Sequence, residues 1–226
     1  VPLFNYQQYI GWCIQSVLNQ DYDNLELIVV DDCSTDESYK VASEFATKNS
    51  RIKVIQTPIN SGYSKAKNEG IIASRGEFIA TLDADDMLTK ESVVPRLRCL
   101  QETGADFVHA RALNVRADYS LENCYALSKF RRQTPRIHAQ SVMVRRWVYQ
   151  KFGLYDEELR SRSDKEMWWR LLGKGKRQEG IQRITQEYIS NDVAYYRIHP
   201  KSMMASRRRN PKYNKQVTKM LNLAYK

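Results

Sequence analysis

Two runs of aspartate are the residues best placed to do chemistry together: Asp31-Asp32, and Asp83-Ala84-Asp85-Asp86. Carboxylates crowded at one place repel each other unless a cation or hydroxyl donors compensate. Hard oxygen ligands of this kind suit Mg²⁺ or Mn²⁺, which fill the rest of their octahedra with phosphate oxygens and water. Neither run is followed by a glycine-rich phosphate loop of the GxGxxG or GxxxxGK[ST] type. A diphosphate bound here is therefore expected to be held through a metal, not at a helix N-terminus. That sets the chain apart from most dehydrogenases and P-loop nucleotide hydrolases. The plainer reading makes these aspartates turn and cap residues, but both runs come at strand ends.

The elements that must position them alternate. Ile10, Cys13, Ile14, Val17 and Leu18 follow helical spacing, which predicts an amphipathic helix over roughly 8–20. Leu25–Val30 is a short apolar run of the kind buried in a parallel sheet. Ser34-Thr35-Asp36 offers an N-cap to a helix with Tyr39, Ala42, Phe45 and Ala46 inward. The cycle repeats with strand-like Ile52–Ile55, a helix from Ser64 to about Ser74, and strand-like Glu77–Leu82. A further helix runs from Thr89 to Gly104, and strand-like Asp106–Ala110 follows. This β-α-β-α-β-α-β order predicts an α/β chain with a mostly parallel central sheet flanked by helices. Ligands of such sheets bind at the carboxyl ends of the strands, where both aspartate runs fall.

After residue 111 the rhythm breaks. Residues 115–135 are polar and irregular. Ser141–Val144 reads as a strand, Trp147–Phe152 and Asp164–Leu172 as helices, and Val193–Ile198 as a late strand. One domain over 1–226 is expected: a nucleotide-binding half at 1–110, an acceptor-binding half at 111–200 and a basic tail at 201–226. The formal charge is +10, yet no acidic residue follows Asp192 while nine basic ones do, so the main body is near neutral. A nucleic-acid binder spreads positive charge over its docking face, so no nucleic-acid partner is expected. No apolar window reaches the roughly 18 residues of a membrane span. The four cysteines, widely spaced, read as reduced and mostly buried thiols of a cytoplasmic protein. The chain opens on Val1 without an initiator Met, so its natural start is expected upstream or processed.

Taken in order, Pro2-Leu3-Phe4-Asn5-Tyr6, Ser16–Gln20, Val30–Asp36, Asn60-Ser61-Gly62, Ala66-Lys67-Asn68, Arg75–Ile79 and Leu82–Asp86 resemble the family 2 glycosyltransferases of the GT-A fold. The likeness continues more loosely through Gly153–Asp156, Asp164–Arg170 and Tyr196–Ser202. It implies an inverting enzyme that uses a nucleotide diphosphate sugar, with a uridine diphosphate sugar favoured. Pro2, Phe4 and Asp32 would hold the nucleoside, with Phe4 packing on the base and Asp32 accepting from it. Lys67 and Asn68 would join the donor site; Lys67 stands where Arg is common, a tolerable change for a phosphate contact. Asp83 and Asp85 match the DxD element, the first facing ribose or sugar and the second ligating the metal. His199 matches a histidine that approaches the metal or diphosphate, and Asp86 would lie just behind. Asp164 matches the catalytic base, ordinarily the Asp of a Glu-Asp pair, although here Ser163 precedes it.

Attack at an anomeric carbon passes through an oxocarbenium-like transition state. The acceptor hydroxyl loses its proton as it attacks, and a positioned carboxylate can take it. Glu166 is the next carboxylate along, and helix capping is the plainer role for Asp164. Of the adjacent Trp168 and Trp169, one is expected in the core and the other free to stack on a sugar. His109 and His138 read as satisfied strand histidines. The stretch 119–135, with Tyr119, Tyr125, Phe130, Arg131 and Arg132, suits an acceptor or lid loop. The expected acceptor is a glycan, lipid-linked or protein-linked sugar. The basic tail is open to three uses: a solvated helix end, a contact with an anionic membrane surface, or a clamp on the donor phosphates. Rival classes are a nucleotide-sugar binder without turnover, a receiver-like signalling domain built on Asp31-Asp32 and Asp83, and a basic nucleic-acid module.

Overall fold

The computed structural model describes residues 1–126, 131–132, 137–159, 163–172, 184–200 and 202. The basic tail apart from Ser202, and parts of the 119–135 stretch, Phe130 included, lie outside the described residues. In chain order the elements are β1 (Pro2–Leu3), α1 (Ile10–Leu18), β2 (Leu27–Asp31), α2 (Ser38–Lys48), β3 (Ile52–Gln56) and α3 (Tyr63–Ala73). Then come β4 (Phe78–Ala80), β5 (Met87–Leu88), α4 (Val93–Thr103), β6 (Phe107–Arg116), α5 (Leu121–Ala126) and β7 (Arg131–Arg132). A 3₁₀ turn at Ala139–Ser141 leads into β8 (Val142–Arg145), α6 (Arg146–Phe152), α7 (Ser163–Leu171) and β9 (Gln186–Ile198).

β1, β2 and β3 form a parallel sheet in that order. Every residue of β2 is buried, as a strand covered on both faces requires. Leu27 and Val29 pack with Ile10, Cys13, Ile14 and Ala42 of α1 and α2, while Ile28 and Val30 pack on Ala66 of α3. The alternation of one strand thus places helices on opposite faces. The second sheet has the order β4-β8-β6-β9-β5, with β7 on β6, and within it β6 and β9 run parallel. The fold is α/β with a helix-flanked parallel sheet as expected, while in the second sheet the β4–β8, β8–β6, β6–β7 and β9–β5 pairings are antiparallel. A cavity of about 470 Å³, lined by Ile28 of β2 and Ile79 of β4 among others, lies between them.

Several local expectations need correction. Tyr39 is 39% exposed, and Ala42 with Phe45 carries the inward face of α2. α3 begins at Tyr63 after Gly62, whose φ of 96° suits glycine, while the Ser64 hydroxyl donates to the Leu159 carbonyl instead of capping. α4 begins at Val93, because the Thr89 hydroxyl is spent on the Asp192 carbonyl. It closes at Gly104 with φ 70°, a left-handed C-terminal residue. Residues 121–126, expected as part of a loop, form α5. Its Leu121 and Cys124 are buried with Met87, Val115 and Tyr195.

Candidate active site

Two interlocked turns finish β1 and β2. Asn5 and Cys33 adopt φ of 55° and 58°, a region that Asn enters readily and most other side chains avoid. The Ser34 hydroxyl oxygen accepts the Asn5 N–H at 3.0 Å, and Asn5 Oδ1 accepts the Thr35 N–H at 2.8 Å. This lock leaves Phe4 42% exposed at the rim. The neighbouring aspartates then part company. Asp31 Oδ2 accepts from the Ser34 N–H and Gln56 Nε2, both at 3.1 Å. Asp32 accepts from the Thr57 hydroxyl at 3.1 Å and from the Ser61 and Gly62 amides at 2.7 Å each.

Past β4 the chain turns through Asp83–Asp86, closed by the Asp86 N–H on the Asp83 carbonyl at 3.0 Å. The side chains of Asp83, Asp85 and Asp86 bring oxygens within 4.8 Å of one another. The Tyr63 hydroxyl donates to Asp83 Oδ1 at 2.6 Å. His199 Nε2 faces Asp85 Oδ2 at 2.9 Å, with its ring against Tyr9 and Tyr6. Asp86 Oδ1 accepts the Arg197 N–H at 2.8 Å, while its Oδ2 is buried without a hydrogen-bond partner. Burial raises the Asp83 carboxyl above its usual range; Lys67 opposes that rise and Asp85 adds to it. Burial, then Asp85 and Asp83, holds the Asp86 carboxyl well above its usual range. A set of three close carboxylates with one orphaned, buried oxygen is suited to a hard divalent cation.

Pro2, Phe4, Asp32, Asp83 and Asp85 line one cavity of about 490 Å³, together with Asp164 from the second half of the chain. Asp164 sits one residue inside α7, not at its cap, and its charge acts on both Asp83 and Tyr63. The model of the family described as "Glycosyl transferase family 2" matches residues 1–187, most of the chain. This chain belongs to that family.

Among relatives of this family 2 glycosyltransferase, glycosyltransferase GlyG of Streptococcus pneumoniae serotype 4 is 35% identical over 108 residues, 48% of this chain and 36% of GlyG. The chain thus spans well under half of that relative's length. Among solved structures, S. aureus TarS 1-349 in complex with UDP-GlcNAc aligns at a TM-score of 0.71 with 20% identity, covering 91% of this chain and 59% of the TarS 1-349 chain. The mannosyltransferase PcManGT from Pyrobaculum calidifontis, in complex with GDP-Man and Mn²⁺, aligns at 0.69 with 17% identity, covering 91% of this chain and 58% of that one. The shared fold is GT-A.

Several residues that the sequence singled out have other placements. The Lys67 amine is buried over the rings of Tyr63 and Tyr155, 4.6 and 4.8 Å from their centroids, and lines the neighbouring cavity between β2 and β4. It reaches the carboxylates through its field. Asn68 is spent on the chain past α6: its Nδ2 donates to the Tyr155 carbonyl and to Glu157, and its Oδ1 accepts the Tyr155 N–H. Glu166 is buried and paired with Arg170 at 2.9 Å. Trp168 is a core residue stacked on Phe107 at 5.3 Å, so it is not free to stack on a sugar. His138 is no strand residue; it precedes the 3₁₀ turn and lines the cavity with Gln140. Tyr63 and Gln140 carried no signal in composition or spacing, although Tyr63 directly follows the Asn60-Ser61-Gly62 element.

Proposed function

We propose that this chain transfers a sugar from a nucleotide diphosphate sugar to an acceptor hydroxyl, with inversion at the anomeric carbon. The observation that carries this reading is the convergence of Asp32, Asp83, Asp85 and Asp164 on one cavity from three separate parts of the sequence. Phe4 packs on the base and Asp32 lies at the nucleoside end. Asp83, held by Tyr63, faces the ribose or sugar. Asp85 with Asp83, Asp86 and His199 would hold Mn²⁺ or Mg²⁺, which when bound stabilises charge on a departing diphosphate. Asp164 accepts the proton of the attacking hydroxyl. A uridine diphosphate sugar is the favoured donor; the TarS structure holds UDP-GlcNAc, and PcManGT holds GDP-Man with Mn²⁺.

In this reading residues 1–110 hold the donor and 111–200 shape a site for a glycan, lipid-linked or protein-linked acceptor. The basic segment 201–226 offers a contact for an anionic membrane surface. No helix among the described residues is long and apolar enough to cross a membrane. A second reading, donor binding without turnover, is favoured by one feature: Ser163 occupies the place of the Glu that ordinarily precedes the base. Calorimetric titration of UDP-GlcNAc and GDP-Man with and without Mn²⁺ tests the donor site. Binding that needs Mn²⁺ in the parent chain and is lost in folded Asp85→Ala supports it. Equal affinity for the donor in the two proteins contradicts the metal site.

A further inference from the structure

We infer that Gln140 reads a hydroxyl of the transferred sugar, which rests on the donor site proposed above. Gln140 is only 3% exposed, and its Nε2 is buried with no hydrogen-bond partner. A buried amide N–H left unpaired loses its water without compensation, so native proteins rarely keep one unless something else satisfies it. The side chain lines the cavity that holds Asp83, Asp85 and Asp164.

Its position is fixed from two sides. The Thr81 hydroxyl donates to the Ala139 carbonyl at 2.9 Å, which pins the 3₁₀ turn to the segment between β4 and Asp83. The Ser141 amide and hydroxyl both donate to the His138 carbonyl, at 3.0 and 2.9 Å, which closes the turn on itself. Gln140 is thereby carried on a rigid turn beside the strand that delivers the DxD element. A sugar in transit must lie between the metal-holding acidic turn of Asp83 and Asp85 and the base Asp164. An uncommitted amide on the wall of that space is suited to a sugar hydroxyl, because it offers both a donor and an acceptor. A site built to hydrogen-bond one hydroxyl rejects the epimer that presents none there, since the buried polar group then stays unpaired.

The experiment compares the 226-residue chain with Gln140→Leu, similar in volume and without the amide. Calorimetry with Mn²⁺ measures UDP and GDP alone, then UDP-glucose, UDP-galactose, UDP-GlcNAc, UDP-GalNAc and GDP-mannose. The parent chain is expected to favour one sugar epimer over its partner. In Gln140→Leu that preference should shrink by about tenfold, roughly one hydrogen bond, while affinity for the bare diphosphate stays within twofold. The melting temperature should hold or rise, because the variant removes an unpaired buried group. Undiminished epimer preference overturns the inference while leaving the donor site standing. Lower melting temperature with weakened UDP or GDP binding also overturns it, by making Gln140 a structural residue. If the parent chain binds no nucleotide diphosphate at all, the donor-site reading fails and this inference with it.

Discussion

Asp32 shows how one carboxylate can be asked for two things. It lines the cavity, but all three of its hydrogen bonds go to the Thr57–Gly62 turn. Asp32→Ala is therefore expected to weaken binding of free nucleotide even without metal, because the nucleoside wall and the turn beside it both loosen. The same change takes the charged acceptor from the half-buried Ser61 and Gly62 amides, while the Thr57 hydroxyl keeps the Ile59 carbonyl. Hydrogen bonds to charged groups contribute about 1.5–3 kcal/mol each, and a partial collapse onto water leaves a net loss of about 2–3 kcal/mol. Urea unfolding with nucleotide titration separates the effects. A variant that loses affinity only when Mn²⁺ is present shows that Asp32 serves the metal end instead. The family likeness places Asn68 in the donor site, whereas its amide is fully engaged with Tyr155 and Glu157.

At the scale of elements, β9 fastens the acidic turn to the rest of the molecule. The Arg197 main chain donates to Asp86. Its guanidinium donates to the Asp85, Arg116, Ala117 and Tyr119 carbonyls and lies over the rings of Tyr9 and Trp12. A lysine keeps the charge but lacks the planar fork that serves several acceptors at once. Arg197→Lys is therefore expected to lower the melting temperature by several degrees and weaken Mn²⁺ binding about tenfold or more. Unchanged melting and metal affinity contradict this fastening role. The sequence made α1 and β2 legible because their apolar positions follow clean periods of 3.6 and of continuous burial. It hid the length of β6 and β9, whose Arg111, Asn114 and Asp192 break the apolar run; Arg111 and Asp192 pair at 2.9 Å beside an irregular register. It hid α5 as well, since among its described side chains only Leu121 and Cys124 are fully buried, with Tyr125 packed partly against them. The aspartate runs were legible as a site, but the partner of Asp83 was not, because Tyr63 arrives by the approach of α3 in space.

Across the whole molecule, the first half brings Asp32, Asp83 and Asp85 to the cavity and the second half brings Asp164 to meet them. Burial raises the Asp83 and Asp86 carboxyls above their unfolded values. Such groups stabilise the fold fully below the usual carboxylate range, and that contribution is lost as pH rises through their folded values. A divalent cation displaces those protons and offsets the repulsion, so Mn²⁺ should raise the melting temperature more at pH 8 than at pH 5. An equal shift at both, or none, counts against a metal at the acidic turn. The central claim, that Asp164 takes the acceptor's proton at a donor site built by other residues, is tested most directly by Asp164→Asn. Asparagine keeps the size but cannot accept the proton, and general-base catalysis contributes about 10²–10⁴-fold. Single-turnover transfer from the bound donor should fall by at least about a hundredfold, with donor affinity within twofold of the parent chain. Transfer at the parent rate by Asp164→Asn would contradict the account and remove Asp164 from the mechanism.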